Sequence, residues 1–277
     1  MNEVPVELGA VQETLLIPLL GRAQETQLGG KLLNDPKAVE IVARLQYDFE
    51  KWGTSARGAC IRARLFDAQV QRFLAEHPEG TVVEIGAGLN TRYERLDNGE
   101  ARWLEFDLPD SMELRRRFFE EDERRTLLSA SATETGWMDA VAELPGPYCF
   151  VSEAVLIYLE PPDAERTVRT LAERFSGSRL IMDITPTGAV AAQARSPLMK
   201  VMSKSSWFRW TCDDVESLRE HGLRVEQTIS MSSLPKDIRR DLSLPMKTLF
   251  TLMPSALIDR MSGGYAIYRF ALETPST

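Results

Sequence analysis

From Thr81 onward the chain alternates short β-rich runs with helical stretches, and that order leaves few architectures open. The runs are Thr81–Ile85, Arg102–Asp107, Thr126–Ala130, Tyr148–Ser152 and Arg179–Ile184, with helical periodicity over Asp110–Glu121, Glu134–Glu143 and Pro162–Phe175. Strict β-then-α order predicts parallel strands joined by right-handed crossovers, hence a doubly wound α/β core. Residues 1–80 read instead as a helical layer, with helices expected over Leu8–Leu20, Pro36–Phe49 and Ala59–Glu76 before the stop signal His77-Pro78-Glu79-Gly80. Near the other end, Leu223–Met231 and Tyr265–Leu272 read as strands with no clean crossover helix between them. They predict an antiparallel pair closing one edge of the sheet. The expectation is a single domain over 1–277: helical layer 1–80, core 81–185, two irregular segments 186–211 and 232–264, and a last strand 265–272.

The two irregular segments draw notice because loops this long inside a compact domain are usually functional. The first carries Met199, Met202, Trp207, Phe208 and Trp210, and the second Met246, Leu249, Phe250, Met253 and Met261. Such residues suit a lid over an apolar pocket, and equally an extra core layer or a dimer face. Composition narrows the partners. With 33 Lys and Arg against 41 Asp and Glu, the formal charge of −8 disfavours nucleic acid and anionic membranes. Cys60, Cys149 and Cys212 are far apart and form no CxxC pair, so neither a disulfide framework nor a metal site is expected, and a reducing, cytoplasmic setting is. The acidic start of the sequence lacks a signal-peptide pattern, and no apolar run reaches the roughly 18 residues of a membrane span.

The chemistry is concentrated where the first β-run ends, in Glu84-Ile85-Gly86-Ala87-Gly88-Leu89-Asn90. Glycine has no Cβ and tolerates positive φ, so a ligand can approach the backbone there, at the carboxyl end of a strand where doubly wound sheets bind ligands. The next run ends in Asp107, about 20 residues on, placed as an acid that grips ribose hydroxyls. Dinucleotide and S-adenosylmethionine sites share this placement. A dinucleotide fingerprint wants a third glycine near position 91, which is Thr91, so a nicotinamide cofactor is the weaker of the two. Glu84, just before the turn, also points to the smaller cofactor, which has no pyrophosphate. A helix N-cap ahead of Pro109 is the plain alternative for Asp107.

These stretches resemble the leucine carboxyl methyltransferase family of S-adenosylmethionine-dependent enzymes, and within it the bacterial polyketide O-methyltransferases of the tetracenomycin-pathway type. Asn34-Asp35-Pro36-Lys37-Ala38 is similar to the family's Asp-Pro-x-Ala element, and Arg62-Ala63-Arg64-Leu65-Phe66-Asp67 to its Arg-x-x-x-x-Asp helix. Val82–Arg92, with Arg95-Leu96, resembles its glycine motif, with Asn90 where the family usually has Asp. Phe106-Asp107-Leu108-Pro109 resembles its Asp-Leu-Pro element and Glu153-Ala154-Val155-Leu156-Ile157-Tyr158-Leu159 its Glu-x-Val-Leu-x-Tyr-Leu element. Five elements in the right order cover most of the chain.

The resemblance implies a class I methyltransferase fold, a seven-stranded mostly parallel sheet with an antiparallel last strand, and S-adenosyl-L-methionine as cofactor. It assigns the cofactor's carboxylate to Arg62 and Arg22, the pocket floor to Gly86, Ala87 and Gly88, the ribose to Asp107 beside Leu108, and the cationic end to Glu153. A helix-terminal charge is the plain alternative for Glu153, and a solvated surface side chain that for Arg22. The adenine-contacting acid that many members carry is replaced by Ser131-Ala132. Asn90 in place of Asp removes a charge expected to orient Arg92. Trp207, Phe208, Trp210, Met246 and Phe250 are expected to line the acceptor pocket.

Methyl transfer from a sulfonium is an in-line displacement, so a base is needed only for a protonated acceptor. The two histidines, His77 and His221, sit at helix ends and suit capping. That leaves a small-molecule acceptor already ionised, a carboxylate or an acidic phenol, with Tyr158 as the candidate to assist. A protein C-terminus as acceptor and a non-methylating use of the cofactor stay open, as do monomer and homodimer.

Overall fold

The computed structural model describes residues 3–52, 58–193 and 204–275. Met199 and Met202 lie outside the described residues, as does the side chain of Leu249. Two short strands, β1 (Val4–Pro5) and β2 (Leu45–Gln46), pair in parallel. The main sheet has seven strands: β3 (Thr81–Ile85), β4 (Arg102–Asp107), β5 (Arg125–Ser129), β6 (Tyr148–Ser152), β7 (Arg179–Ile184), β8 (Leu223–Ser230) and β9 (Ala266–Leu272). Their spatial order is β5-β4-β3-β6-β7-β9-β8. Only β9 runs against its neighbours, β7 and β8.

The apolar runs form strands because both faces are covered. Val82, Trp103, Cys149, Val151, Ile181 and Ile267 meet the long helix α3 (Gly58–Glu76) through Phe66, Val70 and Phe73. On the opposite face Val83, Leu104, Phe106, Phe150, Leu180 and Phe270 pack on Trp137, Val168 and Leu171. Register then fixes the site. Ile85 lies opposite Phe106 and Ser152, and Ser152 opposite Met182, so the residues following β3, β4, β6 and β7 emerge along one edge. The chain leaves β3 toward β4 and β5, then returns to β6 on its other side. That reversal opens a crevice at the carboxyl ends of the strands, where α/β sheets place their ligands.

The N-terminal layer differs from the helices read in the sequence. α1 spans Leu16–Gln27 after a 3₁₀ turn over Gln12–Leu15, rather than Leu8–Leu20. An earlier start would put Pro18 in the helix interior, where its missing N–H and its ring break the ladder. α2 (Pro36–Arg44) stops short of Phe49 because Leu45–Gln46 is recruited to pair with Val4–Pro5. Asp35 caps it, accepting from the Ala38 N–H at 2.9 Å with Pro36 in the first turn.

The segment 232–264 is largely helical: Lys236–Asp241, Leu244–Leu252 and Ser255–Met261, the first and last each preceded by an N-cap proline, Pro235 and Pro254. Proline sets the φ of a helix start, so three short helices stand where the sequence reads as irregular. No helix among the described residues is long and apolar enough to cross a membrane.

Candidate functional site

At the carboxyl edge a cavity of about 540 Å³ opens between the sheet and the N-terminal layer. Its wall includes Arg22 of α1, Arg62 of α3, Glu84, the Gly86-Ala87-Gly88 turn, Asp107, Leu108, Ser131, Ala132, Glu153, Tyr158 and Phe208. Every cofactor residue proposed from the sequence therefore faces one space.

The acceptor residues divide. Phe208 lines the cavity, its ring edge-on to Tyr158 at 5.4 Å. Trp210, Met246 and Phe250 do not: Trp210 belongs to the core on the sheet face opposite α3, and Met246 and Phe250 pack on the α3 side. Trp207 packs with Ile17, Leu20 and Trp52. Apolar bulk in a segment rich in short helices is drawn under the sheet, which buries more surface than an open pocket offers. The apolar wall comes instead from Leu15, Ile157, Leu159, Ala189 and Met231.

The turn after β3 needs its glycines. Gly86 has φ +69°, and a Cβ there would stand 2.4 Å from Val155 Cγ2; Gly88 has φ +46°, with Leu15 Cβ 3.1 Å from where its Cβ would be. Two buried arginines hold the turn by its carbonyls. Arg115 Nη1 donates to the Gly88 and Asn90 carbonyls at 2.8 and 2.9 Å, and Arg22 Nη2 to that of Leu89 at 2.8 Å. With these carbonyls engaged, the Gly88 N–H points to Asp107 Oδ2 at 2.7 Å, while the Leu108 N–H meets Oδ1 at 2.7 Å. Burial pushes the Asp107 carboxyl above its usual value, and these two N–H groups oppose that rise. The Ser111 hydroxyl also hydrogen-bonds this carboxylate, which lines the cavity with acceptor capacity left over, as suits a ribose hydroxyl. At Ser131, where the sequence expectation puts the adenine, the polar atoms are already engaged: Ser131 Oγ by Thr133 Oγ1 at 2.8 Å and its N–H by Glu134 at 3.3 Å.

Behind the turn lies a buried ionic network. Arg92, fully enclosed, donates to Asp67 at 2.8 Å, to both oxygens of Glu84 at 2.6 and 2.7 Å, and to Glu153 at 2.6 Å. Arg95 binds both oxygens of Asp67 at 2.8 and 2.9 Å and reaches Asp35, which also holds Arg22 at 2.9 Å and the Thr91 hydroxyl. Arg62 Nε meets the other oxygen of Glu153 at 2.9 Å. Asn90 thus does not orient Arg92: its side chain faces Arg95 at 3.4 Å, and three carboxylates orient Arg92. Nothing local in the sequence marks Arg92 as the hub, because its partners come from α3, β3 and the turn after β6.

The network sets the acid response. Burial alone would raise Asp35, Asp67 and Glu153, but their arginine partners outweigh it and hold all three below their ordinary values. Their stabilising contribution is present above an unfolded pKa of about 4 and is lost as pH falls through the folded values. Glu84 and Asp107 shift the other way through burial, so their contribution is present below about 4 and is lost as pH rises through their folded values. Thermal melts from pH 7 to 3 will show a Tm falling steeply below about pH 4, with a shallower fall in Arg92→Met, where the depressed values relax.

The sequence reading also missed residues of the cavity wall: Thr14, Ser111, Thr185, Ser262 and Tyr265. A Tyr just before a strand carries no signal of its own, and only the antiparallel return of β9 brings Tyr265 to this edge.

A model of the leucine carboxyl methyltransferase family matches residues 15–172. The chain is 30% identical over 236 residues to the tetracenomycin polyketide synthesis O-methyltransferase TcmP of Streptomyces glaucescens, covering 83% of this chain and 86% of that protein. It is 25% identical over 251 residues to the S-adenosyl-L-methionine-dependent methyltransferase dpfgK of Gibberella zeae, covering 82% and 84%. Among solved structures, a DUF574 family protein from Streptomyces avermitilis superposes with a TM-score of 0.56 at 14% identity, over 91% of this chain and 96% of that one. The family match spans more than half of the chain and the identity to TcmP extends over most of it, so the chain belongs to the leucine carboxyl methyltransferase family of S-adenosylmethionine-dependent enzymes.

Proposed function

We propose that the protein transfers a methyl group from S-adenosyl-L-methionine to an oxygen of a small molecule, a carboxylate or acidic phenol of a polyketide or other natural product. The observation that carries this reading is the mixed lining of one cavity: Asp107, the glycine turn, Arg22, Arg62 and Glu153 share it with Ile157, Tyr158, Leu159, Ala189, Phe208 and Met231. The polar groups suit a charged nucleoside, and the apolar ones suit an aromatic acceptor. The activity named for TcmP supports oxygen as the methylated atom.

When bound, S-adenosylmethionine supplies an electrophilic methyl on a sulfonium. The chain's own work is positioning. Asp107 would accept from the ribose hydroxyls, and Arg62, one side of which Glu153 occupies, would meet the carboxylate of the methionine moiety. Glu153, kept ionised by Arg62 and Arg92, would favour the cationic end electrostatically. Phe208 and Tyr158 would align the acceptor in line with the methyl and exclude water. Among the described residues of the wall there is no histidine, lysine or cysteine, so an already acidic acceptor suits this site.

Incubation with S-adenosylmethionine and a panel of polycyclic aromatic acids and phenols, read by mass spectrometry, will yield O-methylated product. A panel without product, from protein that binds S-adenosylhomocysteine, contradicts the reading and favours a non-methylating use of the cofactor.

A further inference from the structure

In the cavity wall one residue holds a backbone conformation that its own side chain disfavours. Ala154 has φ +55°, the one positive φ of a non-glycine among the described residues. An L-residue enters that region only at a cost, so the surrounding structure must hold it there, and such residues gather at functional sites. Glycine enters it freely, and the other positive-φ positions of this wall are Gly86 and Gly88. On one side of Ala154 in the chain is Glu153, whose two oxygens accept from Arg62 Nε at 2.9 Å and Arg92 Nη2 at 2.6 Å. On the other is Val155, whose methyls stand where a Cβ on Gly86 would be. The backbone angle of Ala154 therefore fixes two things at once: where Glu153 stands in the cavity, and how Val155 closes on the glycine turn.

Asp183 supplies the hold. It lies in β7, is 2% exposed, and its Oδ1 accepts the Ala154 N–H at 2.8 Å. Its Oδ2 accepts the Tyr265 hydroxyl at 2.9 Å. β6 and β7 pair through Ser152 and Met182, so the residues that follow, Glu153 and Asp183, continue side by side. A buried carboxylate is costly to desolvate, and packing alone would favour an apolar residue in a central strand. None of the roles given above uses it. We propose that Asp183 is a positioning residue of the cofactor site: its hydrogen bond keeps Ala154 in the left-handed region, and so keeps Glu153 and Val155 in the arrangement that receives S-adenosylmethionine. Tyr265 fixes the Asp183 carboxylate for that task.

Without the hydrogen bond, Ala154 relaxes toward ordinary backbone, and the arrangement that binds becomes a minor part of the population. Apparent affinity then falls by that fraction. Arg62 also faces Asp183 with its charge. Asn at position 183 separates the two roles, because it has no charge but keeps an oxygen that accepts the Ala154 N–H.

This inference deepens the S-adenosylmethionine reading and rests on it. Wild type, Asp183→Ala, Asp183→Asn and the double variant Asp183→Ala with Ala154→Gly are titrated calorimetrically with S-adenosylhomocysteine. Expected is an affinity about tenfold below wild type for Asp183→Ala, since alanine left unaided disfavours the left-handed region by about that factor. Asp183→Asn stays within about twofold of wild type. Adding Ala154→Gly to Asp183→Ala restores affinity to within about threefold, because glycine adopts the angle without help. A residue that serves stability alone gives no such recovery. If Asp183→Ala does not fold, Tyr265→Phe takes its place, with binding about threefold weaker than wild type and restored by Ala154→Gly. Affinity unchanged in Asp183→Ala, or in Tyr265→Phe where that stands in, overturns the proposal. Asp183→Asn that binds as weakly as Asp183→Ala overturns it too, and assigns the effect to the charge beside Arg62, and a double variant without recovery does the same by severing the link to Ala154. Failure of the folded wild type to bind S-adenosylhomocysteine overturns instead the cofactor reading beneath it.

Discussion

Arg92→Met destabilises the protein by about 3–5 kcal/mol, because its removal leaves buried Glu84 with no cation and takes one of two from Asp67, which keeps Arg95, and from Glu153, which keeps Arg62. Methionine fills much of the space that arginine occupied, so the loss is electrostatic rather than a cavity. For a chain of this size the shift in Tm is about 10 °C, read by thermal denaturation followed by circular dichroism. The comparison that isolates the cause is Arg64→Met. Arg64 pairs with Asp237 at 3.1 Å where both side chains are partly solvated, so its loss changes stability by less than about 1 kcal/mol. Equal shifts in the two variants would mean that the buried network contributes no more than a surface pair.

Asp107→Ala lowers affinity for S-adenosylmethionine and S-adenosylhomocysteine by at least about 100-fold, since each hydrogen bond to a charged acceptor contributes about 1.5–3 kcal/mol and two are lost. The same change leaves the Gly88 and Leu108 N–H groups without their acceptor, at a stability cost of about 1–3 kcal/mol. Asp107→Asn separates the effects, because its amide oxygen still accepts from one of these N–H groups. Its fold is closer to wild type, while its affinity stays reduced by about tenfold or more for want of the charge. Calorimetric titration of both variants checks this; affinity unchanged in Asp107→Ala would remove the carboxylate from the site.

The core of this architecture is legible in the sequence because its signals are local. β3, β4, β6 and β7 lie where the apolar runs Thr81–Ile85, Arg102–Asp107, Tyr148–Ser152 and Arg179–Ile184 place them, since strands buried on both faces read as continuous hydrophobic runs. Gly86, Gly88 and Asp107 are legible for a related reason: each sits at a strand end, and the parallel register does the rest. What the sequence conceals is set by partners distant along the chain. Leu45–Gln46 reads as helix until Val4–Pro5 is there to pair with it. The role of Arg92 depends on carboxylates 8, 25 and 61 residues away. Tyr265 and Asp183 lie 82 residues apart, joined only because β9 turns back along β7. Met246, Phe250 and Trp210 mislead in the opposite sense, since a core and a pocket call for the same side chains.

The central claim is that this cavity binds S-adenosylmethionine. Calorimetric titration of the wild type with S-adenosylhomocysteine, alongside NADH, tests it most directly. Micromolar, one-to-one binding of S-adenosylhomocysteine with no heat from NADH is the predicted result. A folded protein that gives no heat with S-adenosylhomocysteine, or that binds NADH in its place, would contradict it.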